Sequence, residues 1–182
     1  TPSASSAASD VYKRQIKALE EIGKPDVLVG QFEIPMNVNE QVFSYAYKNG
    51  VETVLNPAPA NKPTDILLQN TSWFIPNEIE FEEIYGDIFN ENNLLLFAKN
   101  VDTNVVVTLG EKGCAYIENN SVKIIKADSV KAIDTTGAGD AFVGAFSYAL
   151  ASKLDIEECL KLALKKATDS VTKKGTQSSY KN

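Results

Sequence analysis

The chain has 182 residues, a formal net charge of −6 at neutral pH and no histidine. The missing imidazole excludes Ser-His-Asp triads, Cys-His pairs and His-ligated zinc. The acidic balance argues against nucleic acid, which is drawn to basic faces. Hydrophobic residues make up 43% of the chain, enough for a sizeable core in one domain. No apolar run reaches the roughly 18 residues that suggest a membrane span. Cys114 and Cys159 stand far apart with no CxxC spacing. They read as buried free thiols of a protein kept in a reducing compartment, so the expected location is the cytoplasm.

Residues 1–15 carry no periodicity and no apolar stretch of the signal-peptide kind. "SSAASDVYKRQ" (5–15) resembles an in-frame translation of a sequencing-library adapter. That tail, adapter-derived or else a disordered native segment, is set apart from the fold, and on the adapter reading the chain is expected to begin inside a longer gene. From Ile16 strand and helix patterns alternate. "IKALEEIG" has helical spacing and stops at Gly23. "DVLVGQFE" (26–33) reads as a buried strand. "VNEQVFSYAYKNG" places Val42, Tyr45 and Ala46 on one helical face, closed by Gly50. "VETVLN" (51–56) is the next strand, stopped by "PAPA", and "SWFIPN" is a short strand ending at Pro76. Asn77 caps a helix over "EIEFEEIYG". "TNVVVTLGEKG" gives a strand over 104–109 and then a glycine turn. "CAYIENNSVKIIKA" resembles a hairpin around Asn119 and Asn120. Helices are expected over 138–150 and from 156 to about 172. The alternation implies an α/β fold, a mostly parallel sheet with helices on both faces.

In such sheets ligands bind beyond the carboxyl ends of the strands. Three polar or glycine-rich stretches, 77–80, 108–113 and 135–140, fall at expected strand ends and would share one edge. The third is the most informative. In "IDTTGAGDAFVGA" (133–145) two glycines stand within three positions where a helix begins. A helix start presents unpaired, positive N–H groups, and glycines let a phosphate approach them. A carboxylate there repels a phosphate unless it has its own task. Asp140 resolves the conflict if it accepts a proton from a hydroxyl while the amides stabilise the phosphoryl group under attack. Other phosphate loops do not fit. The third glycine of a GxGxxG fingerprint would have to precede Gly144, and no GxxxxGK[ST] run exists. A plain reading stays open, in which Asp140 is an acid favoured by the helix dipole.

"DTTGAGDAFVGAF" resembles the C-terminal signature of the ribokinase-like (PfkB) carbohydrate kinases. "LNPAPA" (55–60), "PNEIE" (76–80), "VTLGEKG" (107–113) and "VTKKGTQSS" (171–179) follow in family order and spacing. "LNPAPA" and "KKGTQ" point to the ribokinase branch. The resemblance implies a three-layer ribokinase-like α-β-α fold over residues 16–182. It implies Asp140 as catalytic base toward a sugar's primary hydroxyl, with Gly137, Ala138 and Gly139 as the anion hole for the γ-phosphoryl group of ATP. Asn77 and Glu80 match a motif that helps place Mg²⁺ and the phosphates. Their simpler reading is a cap with Glu80 completing a capping box, and both roles are compatible. Thr108, Gly110 and Gly113 match nucleotide-lining positions, and Glu33 matches a sugar-contacting glutamate. Asp134 and the carbonyl of Thr136 match half of a K⁺ site, with Ser170, Lys173, Gly175 and Ser179 as the other half.

The resemblance also breaks in places. A lid, GGN-type segments and an early aspartate of the family have no counterpart, nor do the first sheet strands or a closing helix. The chain is therefore expected to be the C-terminal portion of a sugar kinase whose copies pair through a lid lacking here. By itself it would turn over little. Leu164 stands where a polar adenine-contacting residue is common. The implied activity is ATP-dependent conversion of D-ribose to ribose 5-phosphate. The alternatives are another sugar or nucleoside kinase of the family, or a non-catalytic nucleotide-binding module.

Overall fold

The computed structural model describes residues 14, 16–21 and 23–176. The tail assigned to residues 1–15, apart from Arg14, lies outside the described residues, as does Ser179. Residues 16–21 are helical, as "IKALEEIG" predicts. Six strands then form one sheet in the order β1-β2-β3-β4-β5-β6. The chain divides into two compact units whose boundary, between Val105 and Val106, falls inside β4.

The first unit alternates strand and helix. It holds β1 (Val27–Gly30), α1 (Met36–Lys48), β2 (Glu52–Leu55), α2 (Asp65–Gln69), β3 (Trp73–Phe74), α3 (Glu78–Tyr85) and α4 (Glu91–Asn100), and reaches the start of β4 (Asn104–Thr108). A helix lies in every connection, so each neighbouring pair runs parallel. The strands are shorter than the apolar runs suggest. β1 stops at Gly30, so Glu33 lies in the loop beyond it and not at the strand end. α1 buries Val38, Val42, Phe43 and Ala46 as one stripe, whereas Tyr45, expected on that face, is half-buried.

Neither α2 nor α4 is evident from the sequence pattern. α4 opens on Asn90, whose side chain accepts from Asn93 N at 2.9 Å, and it buries Leu94 and Phe97. The Phe97 ring meets Phe81 of α3 edge-on at 5.5 Å and lies 5.8 Å from Phe74 of β3. Burial of each such ring stabilises by about 2–3 kcal/mol, and edge contacts add roughly 1 kcal/mol. The Phe97 ring thus ties α4 to both α3 and β3.

The second unit continues β4 into an antiparallel meander, with β5 (Cys114–Glu118) and β6 (Ser121–Ile125). The hairpin turn is Asn119-Asn120, with φ of 51° and 57°. Two left-handed residues in a two-residue loop match the twist of the flanking strands, and asparagine tolerates that conformation. Residues 126–137 form no strand, so the stretch 135–140 is not at a strand end as expected. α5 (Ala138–Ala151) and α6 (Ile156–Val171) pack against each other. α5 buries Phe142, Val143, Phe146 and Ala149, and α6 buries Cys159, Leu160, Ala163 and Leu164. Leu164 is thus a core residue. Both cysteines are free and buried. Burial pushes the Cys114 thiol up to about 12 and raises that of Cys159.

Candidate active site

In the first unit β3 ends at Phe74, and the buried Ile75 and Pro76 carry the chain to α3. Asn77 Oδ1 accepts from Glu80 N at 2.8 Å, and Glu80 Oε2 accepts from Asn77 N at 2.8 Å. This reciprocal cap satisfies two donors that the helix start would leave orphaned. Partial burial raises the Glu80 carboxyl above its usual range. The Asn77 N–H opposes that shift, and the like charge of Glu83 adds to it. The capping role is therefore realised in full, and one carboxylate oxygen of Glu80 is committed to it. Glu33 is exposed, three residues past β1.

Sequence reasoning missed a ladder of side-chain amides across the carboxyl ends of β1, β2 and β3. The Asn39 amide donates to Gln31 O at 2.8 Å. Gln31 Nε2 donates to Asn56 Oδ1 at 2.9 Å, and Asn56 Nδ2 donates to Ile75 O at 2.9 Å. Asn39 and Asn56 are buried. The one available signal is that Gln31 and Asn56 each directly follow a strand, Gly30 ending β1 and Leu55 ending β2.

In the second unit Gly137 is the N-cap of α5, at φ 80°. A residue with a Cβ resists that left-handed conformation by about 1–2 kcal/mol. Ala138 N donates to Thr135 O at 3.3 Å, and Ala141 N donates to Gly137 O at 2.9 Å, the first full helical bond. Asp140 lies in the first turn and is exposed with Gly139. The loop leading in is pinned by Asp134. One carboxylate oxygen accepts from Thr136 N at 3.0 Å, the other from Gly175 N at 3.1 Å. These N–H donors hold the Asp134 carboxyl below its ordinary range. Ile133 N and Asp134 N also donate to Val171 O, at 2.7 and 3.2 Å. The structure thus brings Asp134, Thr136 and Gly175 together. Ser170 is buried; its hydroxyl donates to Ala167 O at 2.7 Å, and its carbonyl accepts from Lys173 N at 3.3 Å.

Thr108 ends β4, half-buried and paired with Cys114. Gly110 opens a 3-10 turn, and Gly113 closes it at φ 107°. A Cβ on Gly113 would lie 1.9 Å from Ile125 O, so the returning hairpin strand by itself demands glycine there. Among the described residues, no group of three or more Cys, Asp or Glu side chains is arranged to hold a metal, and no helix is long and apolar enough to cross a membrane.

The family model for pfkB family carbohydrate kinases matches residues 5–182. A ribokinase of Haemophilus influenzae is 40% identical over 182 residues, covering 97% of this chain and 58% of its own. A deoxyribokinase of Salmonella typhi is 36% identical over 170 residues, covering 90% of this chain and 56% of its own. The structure of Arabidopsis thaliana ribokinase complexed with ribose and ATP matches with a TM-score of 0.82 at 28% identity, over 90% of this chain and 55% of that one. The chain thus spans a little over half the length of the curated relatives it matches. The left-handed Gly137 turn with Asp140 in its first helical turn, and the match along nearly the whole chain, lead to one conclusion: the chain belongs to the pfkB family of carbohydrate kinases.

Proposed function

We propose that this chain is the C-terminal, nucleotide-binding portion of an ATP-dependent kinase that phosphorylates the primary hydroxyl of a pentose, D-ribose first. The observation that carries the reading is the turn at Gly137, which opens a helix of 14 residues and sets the exposed Asp140 in its first turn. Asp140 takes the proton from the sugar hydroxyl. The sugar oxygen then bonds to the γ-phosphorus, the bond from that phosphorus to the bridging oxygen breaks, and ADP leaves. The backbone around residues 137–139 stabilises the charge on the phosphoryl oxygens, Ala138 N giving up its 3.3 Å bond to Thr135 O to do so. The helix start favours anions, so the same turn serves binding and transfer.

Two ions fit the residues in different ways. Mg²⁺ supplies charge neutralisation at the phosphates when bound. The commitment of one Glu80 oxygen to the cap fits an ion held mainly by phosphates and water, with Glu80 acting through water. K⁺ would be held by Asp134 and backbone carbonyls such as those of Thr136 and Ser170, a hard-oxygen donor set; Lys173, Gly175 and Ser179 complete the set by resemblance. Thr108, Gly110 and Gly113 belong to the nucleotide side, Glu33 to the sugar side.

A second reading, 2-deoxyribose as substrate, is supported by the 36% identity to a deoxyribokinase. ADP release by the chain joined to the remaining length that its relatives possess, measured with ribose and with 2-deoxyribose, each in potassium and in tetramethylammonium buffer, tests both. The expected result is turnover with ribose, faster in potassium. Preference for 2-deoxyribose selects the second reading, and turnover with neither pentose rejects the proposal.

A further inference from the structure

The amide ladder of the first unit suggests a role for a residue outside the site so far described. Glu33 stands two positions after Gln31, and the Asn77–Glu80 cap starts two positions after Ile75. Between them run two hydrogen bonds, Gln31 Nε2 to Asn56 Oδ1 and Asn56 Nδ2 to Ile75 O, each 2.9 Å. The ladder is tied to the backbone at three further points. Asn39 donates to Gln31 O, Asn56 N donates to Gly30 O at 3.0 Å, and Ile75 N donates to Leu55 O at 2.8 Å.

The direction of the ladder is fixed. An asparagine amide has one acceptor end and one donor end. The donor end of Asn56 meets a carbonyl, so its acceptor end must face a donor, and Gln31 supplies it. If Gln31 lacked that donor, buried Asn56 would either lose a partner or flip and turn its oxygen toward Ile75 O. Either outcome disturbs a buried polar chain at a cost larger than that of one surface bond.

We propose that Gln31 is a positioning residue for the kinase reaction: through Asn56 it locks the Glu33 loop and the start of α3 at one mutual spacing. The inference rests on the proposed function, since it presumes that Glu33 faces the sugar and that the Asn77–Glu80 cap faces the phosphates. A site whose parts must be held within fractions of an ångström needs such support behind the contacting groups.

The test compares Gln31→Met, which keeps the side chain's length and removes the donor, with Thr53→Val. Thr53 anchors a separate polar cluster, with Thr53 Oγ1 donating to Asn70 O at 2.7 Å and accepting from Ser72 N at 2.8 Å. It is fully buried, where Gln31 is half-buried, and it lies among residues given no role in the reaction. Two readouts are taken. In steady-state kinetics Gln31→Met is expected to raise KM for ribose and for Mg-ATP together, each by about tenfold, while Thr53→Val lowers the melting temperature and leaves both constants unchanged. In amide hydrogen exchange Gln31→Met is expected to raise exchange at residues 32–33 and, at a distance, at Asn77 and Glu80. Exchange that rises only near residues 31 and 56, or kinetic constants that move no further than in Thr53→Val, overturns the inference. The kinetics use the chain joined to the remaining length that its relatives possess; if that unaltered protein turns over no pentose, the proposed function fails, and the exchange pattern alone still decides whether the ladder couples the two segments.

Discussion

Asp140 is an acid placed where the helix start favours a phosphate, and that placement predicts how its amide would behave. Asp140→Asn keeps size and polarity and removes the proton acceptor. In the chain joined to the remaining length that its relatives possess, turnover is expected to fall by at least about a hundredfold, while Mg-ATP binds as before or more tightly, since a repelling charge is gone. Equilibrium binding and single-turnover rates check this, and an unchanged rate would remove Asp140 from the chemistry. Cys114 gives a second prediction. Burial holds its thiol up at about 12, against an ordinary value of 9.0. The folded state thus favours the neutral thiol, and the stability tied to it is complete below pH 9. That stability is lost as pH rises from 9 towards 12, because the unfolded thiol ionises first. Relative to Cys114→Ala, the unaltered protein should lose on the order of a few kcal/mol over that window, read as urea midpoints. A parallel course of the two variants across that window refutes it.

At the scale of elements, the cap of α3 shows that a structural and a functional role need not compete. Asn77→Ala removes both the Glu80 N acceptor and a helix-start preference, so it should cost about 1 kcal/mol. Glu80→Gln keeps an oxygen for Asn77 N and removes a carboxylate that burial already disfavours. Its urea midpoint should stay level or rise, while the Mg²⁺ concentration needed for half-maximal activity rises several-fold. Equal loss of stability in both variants would assign Glu80 to the cap alone. Elements with strong local signals were legible in the sequence. The Asn119–Asn120 turn, the Asn77 cap and α5 with α6 all announce themselves through local residue chemistry. α4 did not, because "LLLF" reads as an apolar run; only Leu94 and Phe97 are buried, and Leu96 is 50% exposed. The amide ladder was invisible for a different reason. The two bonds that link Gln31, Asn56 and Ile75 span 25 and 19 positions, and only the parallel register brings these residues side by side. Asp134 lay between these cases. Its bond to Thr136 is local, but the one to Gly175 spans 41 positions.

At the scale of the molecule, the candidate groups divide unevenly between the partners of the proposed reaction. The second unit carries Asp140, the Gly137 turn, Thr108, Gly110 and the Asp134 pin, while the sugar is represented by Glu33 alone. A pentose has several hydroxyls, and each needs a partner if desolvation is to be offset. One glutamate cannot orient the primary hydroxyl toward Asp140, and orientation is most of what a phosphoryl transfer asks of the protein. The 182-residue chain should therefore bind Mg-ATP measurably by calorimetry yet release ADP no faster with ribose than without it. Joined to the remaining length that its relatives possess, the same chain should gain ribose-dependent turnover while its nucleotide affinity changes by less than about tenfold. Ribose-stimulated ADP release by the 182 residues alone would show that the sugar contacts are already present among them, and that the division of labour drawn here is wrong.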